Sequence, residues 1–180
     1  GHFVVSTHWD REWYRSFQDF RYRLVAMLDE LLDVMKRDPA FRYFQMDGQA
    51  VPVEDYLEVR PEREPELRAL AEAGRLRIGP WYVLPDESLV CGESIIRNLQ
   101  TGLALAGRYG AAAQSRAGFA CDLFGHISQL PQILRGFSID NVFLWRGVNE
   151  STHGAMFRCC RLSPSDAADA PTSMIPGCRR

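Results

Sequence analysis

The sequence lacks the features that mark membrane-spanning, secreted or nucleic-acid-binding proteins. No apolar run approaches the length of a transmembrane helix, and no signal-peptide pattern opens the printed chain. Lysine occurs once against twenty arginines, yet the formal net charge is only −2 and no basic block is present. The five cysteines are scattered without a C-x-x-C pair, so neither a zinc ribbon nor a disulfide framework is indicated. We therefore expect a cytoplasmic protein without a membrane or nucleic-acid partner, and its oligomeric state is open.

The 180 residues are 46% hydrophobic, which is enough for one domain with a sizeable core. Short apolar runs alternate with segments of helical periodicity, which predicts a parallel sheet covered by helices and hence an α/β layer or barrel. Strands are predicted at residues 3–6, 41–46, 76–78, 117–120 and 142–145. Helices are predicted at residues 17–36, 53–59, 64–73, 94–109 and 127–135.

This pattern ends near Asn149. Residues 151–180 carry three prolines, two adjacent cysteines and no amphipathic period. We therefore expect one domain over residues 1–150. For residues 151–180 we expect an irregular or disordered tail, whose abrupt change of composition is also compatible with out-of-frame translation.

Acidic and basic side chains follow the predicted strands, at the edge where the loops of a parallel sheet meet. His8 and Asp10 lie two positions apart after the first strand, so their side chains point the same way. Asp122 follows the fourth strand and Arg146 the fifth. One histidine with several carboxylates suits a divalent cation, most plausibly zinc. A metal-bound carboxylate beside an arginine also suits a nucleophile whose pKa must stay low.

Other residues admit a structural reading beside a functional one. Asp47-Gly48 is an ordinary turn former, and Glu87 and Glu93 can cap a helix that starts near Ser94. Tryptophan is more often a core residue, but Trp81 lies among rigid residues, which favours a pocket wall more than is usual for a tryptophan. Asp86 follows the third strand. His126 and Cys121 are interpreted as structural residues.

A longer series of motifs resembles the N-terminal catalytic region of glycoside hydrolase family 38, the class II α-mannosidases, in its bacterial branch. The motifs occur in family order between Phe3 and Gly147: HWDREWY (8–14), DGQ (47–49), EDY (54–56), GPWY (79–82), PDE (85–87), GES (92–94), DLFGH (122–126), QLPQ (129–132) and FLWRG (143–147). One departure is Cys121, where the family usually has proline before the aspartate.

The resemblance implies a role for several residues. It assigns zinc, or another divalent cation, to His8, Asp10 and Asp122, and makes Asp122 also the nucleophile of a retaining enzyme. Trp13 lines the sugar site by the same resemblance, and Phe124 and Arg146 match positions close to the nucleophile. With Trp81 and Asp86, these residues form the expected binding site for an α-mannoside substrate.

The resemblance also implies a seven-stranded β/α barrel, of which about five strands are expected here. The family's acid/base aspartate and its fourth metal ligand, a histidine, lie beyond the matching segment. We therefore expect an incomplete barrel and a fragment of an α-mannosidase that is inactive alone. The alternatives are a non-catalytic fragment or weak metal or sugar binder and, within enzymes, a metal-dependent deacetylase or amidohydrolase. The amidohydrolase version would need H-x-H after the first strand, which His8-Trp9-Asp10 does not supply.

Overall fold

The computed structural model describes residues 4–111 and 116–147, together with the backbone of residues 158–161. Helices and strands alternate along these residues. The helices are Phe17–Arg37 (α1), Val51–Leu57 (α2), Glu64–Glu72 (α3), Gly92–Arg108 (α4) and Leu130–Gly136 (α5), with a 3-10 turn at Pro61–Arg63. The strands are Phe44–Gln45 (β1), Leu76–Arg77 (β2), Gly118–Ala120 (β3), Asn141–Leu144 (β4) and Arg158–Arg161 (β5).

The strands form two small sheets. β1 and β2 are parallel, with Phe44 opposite Leu76, and Ser6 adds a single parallel bridge to Gln45. The second sheet has the order β3–β4–β5, in which β3 and β4 are parallel and β5 is antiparallel to β4. Short parallel strands separated by helices confirm the predicted α/β class, while the barrel stays a prediction.

Helix α1 illustrates how the sequence sets an element. The hydroxyl of Ser16 accepts a hydrogen bond from the Asp19 N–H at 3.4 Å and caps the N-terminus. Apolar residues at three- and four-residue steps bury one stripe of the helix, which includes Leu24, Leu28 and Leu32. This stripe packs on the first sheet and on α2 and α3 in one of two apolar clusters.

The second apolar cluster lies between α4, α5, β3 and β4. Gly102 lets α4 approach the main chain of residues 80–82, because a Cβ at this position would lie 2.2–2.3 Å from its atoms. Trp81 is fully buried in the same cluster. Among the described residues, no helix combines the length and apolarity that crossing a membrane requires.

Most element boundaries differ from the predictions by one to three residues, and β1, predicted over residues 41–46, is limited to Phe44–Gln45. Helix α2 begins at Val51 rather than Val53, since Pro52 fits the first turn of a helix. Helix α5 begins at Leu130 rather than Ile127, because Pro131 fits the first turn of a helix but lacks the N–H that a helix beginning at Ile127 would need there. The first strand is reduced to the Ser6 bridge, and Phe3 lies outside the described residues.

The segment that was expected to be irregular contains β5. The four residues Arg158–Arg161 pair with β4 along its whole length, so the expectation of irregular backbone is wrong for them. Backbone hydrogen bonding to an available strand edge needs no amphipathic period, which explains why the pattern gave no signal. The other residues of 151–180 lie outside the described residues, and their assignment stays a prediction.

Candidate functional site

The segment His8–Asp10 is fixed against the turn that follows β1. The N–H of Trp9 donates to Asp47 Oδ2 at 2.8 Å, and the Gln49 side chain donates to the Trp9 carbonyl at 2.9 Å. Asp47 and Gly48 both have left-handed backbones, with φ of 51° and 70°. This turn therefore directs the buried carboxylate of Asp47 toward the segment His8–Asp10.

The imidazole of His8 lies among three carboxylates. Its Nδ1 is 3.0 Å from Asp47 Oδ2, and its Nε2 is 3.0 Å from Asp122 Oδ2 and 3.6 Å from Asp10 Oδ2. The structure thus brings together the three residues that are predicted to bind a metal. It also places a fourth residue, Asp47, against the other ring nitrogen of His8.

These carboxylates stabilise the protonated imidazole. The pKa of His8 is raised to about 9, first by the hydrogen bond with Asp47, against partial burial that lowers it, and then by the charges of Asp47, Asp10 and Asp122. In the absence of a cation, His8 thus carries the positive charge that balances this acidic group.

Asp122 is held by Arg146 in two ways. The Arg146 guanidinium contacts Asp122 Oδ1 at 2.8 Å and donates to the Asp122 main-chain carbonyl at 3.0 Å. The same guanidinium lies 4.4 Å from the centroid of the Phe124 ring. One oxygen of Asp122 therefore faces arginine and the other faces His8, at the carboxyl ends of β3 and β4.

These groups open into a pocket of about 630 Å³, whose lining includes His8, Asp10, Arg11, Asp86, Asp122 and Phe124. Phe124 is 73% exposed, which leaves most of its ring free for contact with a ligand. Trp13 is equally exposed, but it is not among the residues that line this pocket.

The assignment of Trp81 to the substrate site is wrong. Its side chain is fully buried, and the indole N–H donates to the Phe119 carbonyl at 2.8 Å. The rigid neighbours that favoured a pocket wall instead fix Trp81 beneath the site, where it packs against α4 and β3.

The donor atoms at His8 have the chemistry that zinc selects. Imidazole nitrogen and carboxylate oxygens are its common ligands, and two ligands of a tetrahedral zinc lie about 3.4 Å apart at bond lengths near 2.1 Å. The separations of 3.0 and 3.6 Å from His8 Nε2 bracket that value. Within the described ranges, however, no three His, Cys, Asp or Glu side chains form a preassembled metal-binding group.

Sequence reasoning missed two features of this region. Asp47 was interpreted as a turn residue, although its carboxylate orients His8, and Glu87 was interpreted as a helix cap, although it is buried against His126. A buried acidic residue in a loop gives no periodic signal. Only its position after a strand, shared with Asp122, pointed to a role.

Residues 1–156 match the glycosyl hydrolases family 38 N-terminal domain. A Halalkalibacterium halodurans protein, provisionally assigned as a mannosylglycerate hydrolase, is 43% identical over 147 residues, which are 82% of this chain and 16% of that protein. A Saccharomyces cerevisiae α-mannosidase is 24% identical over 180 residues, covering 97% of this chain and 16% of its own length.

The fold has solved counterparts. The crystal structure of an α-mannosidase from Enterococcus faecalis superposes with a TM-score of 0.76 at 36% identity, covering 81% of this chain and 16% of that one. The chain therefore spans about 16% of the length of the curated relatives that it matches.

Proposed function

The chain belongs to glycosyl hydrolase family 38, and from this membership we propose that it supplies the nucleophile and three metal ligands of a retaining, zinc-dependent α-mannosidase. The observation that carries the proposal is the convergence of His8, Asp10 and Asp122 at one pocket, with Arg146 against Asp122. The proposed substrate class is an α-mannoside, and the proposed location is the cytoplasm.

His8, Asp10 and Asp122 would hold the metal, which when bound supplies positive charge for the hydroxyl groups of the sugar. Asp47 keeps the proton on Nδ1 of His8 and leaves Nε2 directed at Asp10 and Asp122. Phe124 offers an exposed aromatic face to the sugar ring, and Asp86 offers a carboxylate to its hydroxyl groups. The family resemblance assigns a second aromatic face to Trp13, which is exposed.

Asp122 performs the covalent step. One carboxylate oxygen attacks the anomeric carbon and forms an ester bond while the glycosidic C–O bond breaks. The electron pair of that bond goes to the leaving oxygen, which takes its proton from an acid/base carboxyl group. Arg146 stabilises the carboxylate before attack and orients it. The family resemblance assigns the acid/base to a region that this chain does not match.

A chimera tests the proposal. Residues 4–147 replace the matching segment of the Enterococcus faecalis α-mannosidase, and hydrolysis of an aryl α-mannoside is measured with added zinc. We expect turnover that falls about 10⁴-fold in Asp122→Ala, because no neighbour can replace a nucleophile at the same geometry. Mass spectrometry with a slow, fluorinated α-mannosyl donor should find the sugar on Asp122.

The matched control is Glu12→Gln. Glu12 lines the same pocket, and among the described residues it makes no ion pair. Its loss should therefore leave most of the turnover. A folded chimera in which Asp122→Ala and Glu12→Gln behave alike would contradict the nucleophile assignment. It would favour the alternative of a non-catalytic sugar or metal binder.

A further inference from the structure

A buried ion pair lies directly behind the candidate site. Nδ1 of His126 is 2.9 Å from Glu87 Oε1, and the two side chains are only 2% and 0% exposed. The other carboxylate oxygen of Glu87 accepts the N–H of Ile127 at 2.9 Å. The pair therefore joins the loop that precedes α4 to the loop that follows β3.

The second ring nitrogen of His126 extends this connection to a third loop. Nε2 is 2.8 Å from the main-chain carbonyl of Arg146, which follows β4. A carbonyl and an ionised carboxylate only accept hydrogen bonds, so beside an ionised Glu87 both ring nitrogens donate and His126 is a cation. Burial lowers the pKa of His126, but the hydrogen bond and charge of Glu87 and the Arg146 carbonyl outweigh it, and the pKa is raised.

The ion pair between Asp122 and Arg146 needs the hydrogen bond from His126 to hold its geometry. Asp122 and Arg146 are 38% and 47% exposed, and an ion pair at such exposure constrains its partners little. The Arg146 main chain is held on both sides instead, by its N–H to the Cys121 carbonyl at 3.2 Å and by its carbonyl to His126. These bonds fix the point from which the guanidinium reaches Asp122.

We infer that Glu87 and His126 are positioning residues that hold Arg146, and through Arg146 the carboxylate of Asp122, at the pocket. Neither side chain touches the pocket, so neither acts on substrate. The inference rests on the proposed function only where it treats Asp122 as the reacting carboxylate. The test below reads the position of Arg146 without turnover, so its failure is distinguishable from failure of the mannosidase proposal.

The first measurement uses the ¹⁵N-labelled 180-residue chain. Long-range ¹H–¹⁵N spectra at pH 7.5 should show both ring nitrogens of His126 at imidazolium positions. An Nε2 that carries no proton would overturn the inference, because it could not donate to the Arg146 carbonyl. The second measurement follows the Nε–H resonance of Arg146, assigned by its loss in Arg146→Lys. In His126→Gln, this resonance should move toward the position of a free arginine.

Trp81→Phe is the control for a merely structural role, because it also removes one buried hydrogen bond but does not contact Arg146. It should leave the Arg146 resonance in place. An unshifted Arg146 resonance in folded His126→Gln would refute the inference. If His126→Gln does not fold, Glu87→Gln decides in the same way, since it removes the charge that holds His126 and keeps the side-chain shape. If neither folds, the ring-nitrogen spectrum of the unmodified chain decides.

Discussion

The left-handed backbone of Asp47 turns an ordinary turn residue into part of the candidate site. Its Oδ2 accepts from the Trp9 N–H and from Gln49, and lies against Nδ1 of His8. A carboxylate behind a metal-binding histidine fixes the tautomer and the ring orientation. Asp47 thus connects the turn after β1 to the three predicted ligands.

We predict that Asp47→Asn weakens zinc binding by the 180-residue chain about tenfold, the lower end of the range for a residue behind a ligand. The amide still accepts one hydrogen bond but no longer carries the charge that aligns His8. Competition with a chromophoric chelator measures the affinity. Asp86→Asn is the matched control, since Asp86 lines the pocket and, in the described part of the chain, makes no ion pair. Equal losses in both variants would contradict a specific role for Asp47.

Sequence reasoning placed His8, Asp10 and Asp122 at one edge of the sheet but missed the contacts that Asp47 and Glu87 make there. His8, Asp10 and Asp122 were identifiable because each follows an apolar run, and a parallel sheet brings such positions to one edge. Trp81 misled because its rigid neighbours are compatible with a pocket wall and with a core position alike. Only tertiary packing against α4 and β3 distinguishes these two roles.

At the scale of elements, helix existence was predictable and strand extent was not. Helix α1 was predicted to within one residue because its apolar stripe runs over five turns. The strands are two to four residues long, too short for a period-two pattern to define their ends. Strand β5 is set by pairing with β4, a non-local partner that no window of the sequence reveals.

The contact of α4 with the loop after β2 gives a prediction for Gly102. A methyl group there would overlap main-chain atoms of residues 80–82, which have no rotamer to change. Gly102→Ala should therefore lower the free energy of unfolding by about 3 kcal/mol, the upper end of the range for overpacking. Urea unfolding followed by circular dichroism measures this change.

Gly92 provides the control within the same helix. A Cβ at Gly92 meets nothing within 4 Å, so Gly92→Ala should be neutral or slightly stabilising, by up to about 1 kcal/mol. If Gly102→Ala proves as harmless as Gly92→Ala, the close approach of α4 to the loop is wrong. The main chain of residues 80–82 would then have to pack against something other than α4.

At the scale of the whole molecule, the candidate site combines segments that follow strands far apart in sequence. The contacts of His8 with Asp47 and Asp122, and of Asp122 with Arg146, form only when both sheets are formed. At this pocket the described residues place the carboxylates of Asp10 and Asp122, the imidazole of His8 and the exposed ring of Phe124. A retaining mechanism also needs a second carboxyl group about 5 Å from the nucleophile, which donates a proton to the leaving oxygen.

We predict that the 180-residue chain alone does not hydrolyse an unactivated aryl α-mannoside, even with zinc. Without an acid/base partner, Asp122 cannot displace a leaving oxygen that receives no proton. The measurement is a prolonged assay of the purified chain, with the chimera described above as the positive control. Clear hydrolysis that disappears in Asp122→Ala would contradict the prediction.

If the chain alone did hydrolyse the substrate, the structure limits which carboxyl group could act as its acid/base. Asp47 and Glu87 are buried with partners on their carboxylates, and Glu93 pairs with Arg97 on the surface of α4. Asp86 and Glu12 are left as pocket carboxylates that, among the described residues, make no ion pair. Asp86→Asn would abolish such activity if Asp86 were the acid/base. Activity that instead rises steeply with protein concentration would mean that two chains assemble one site.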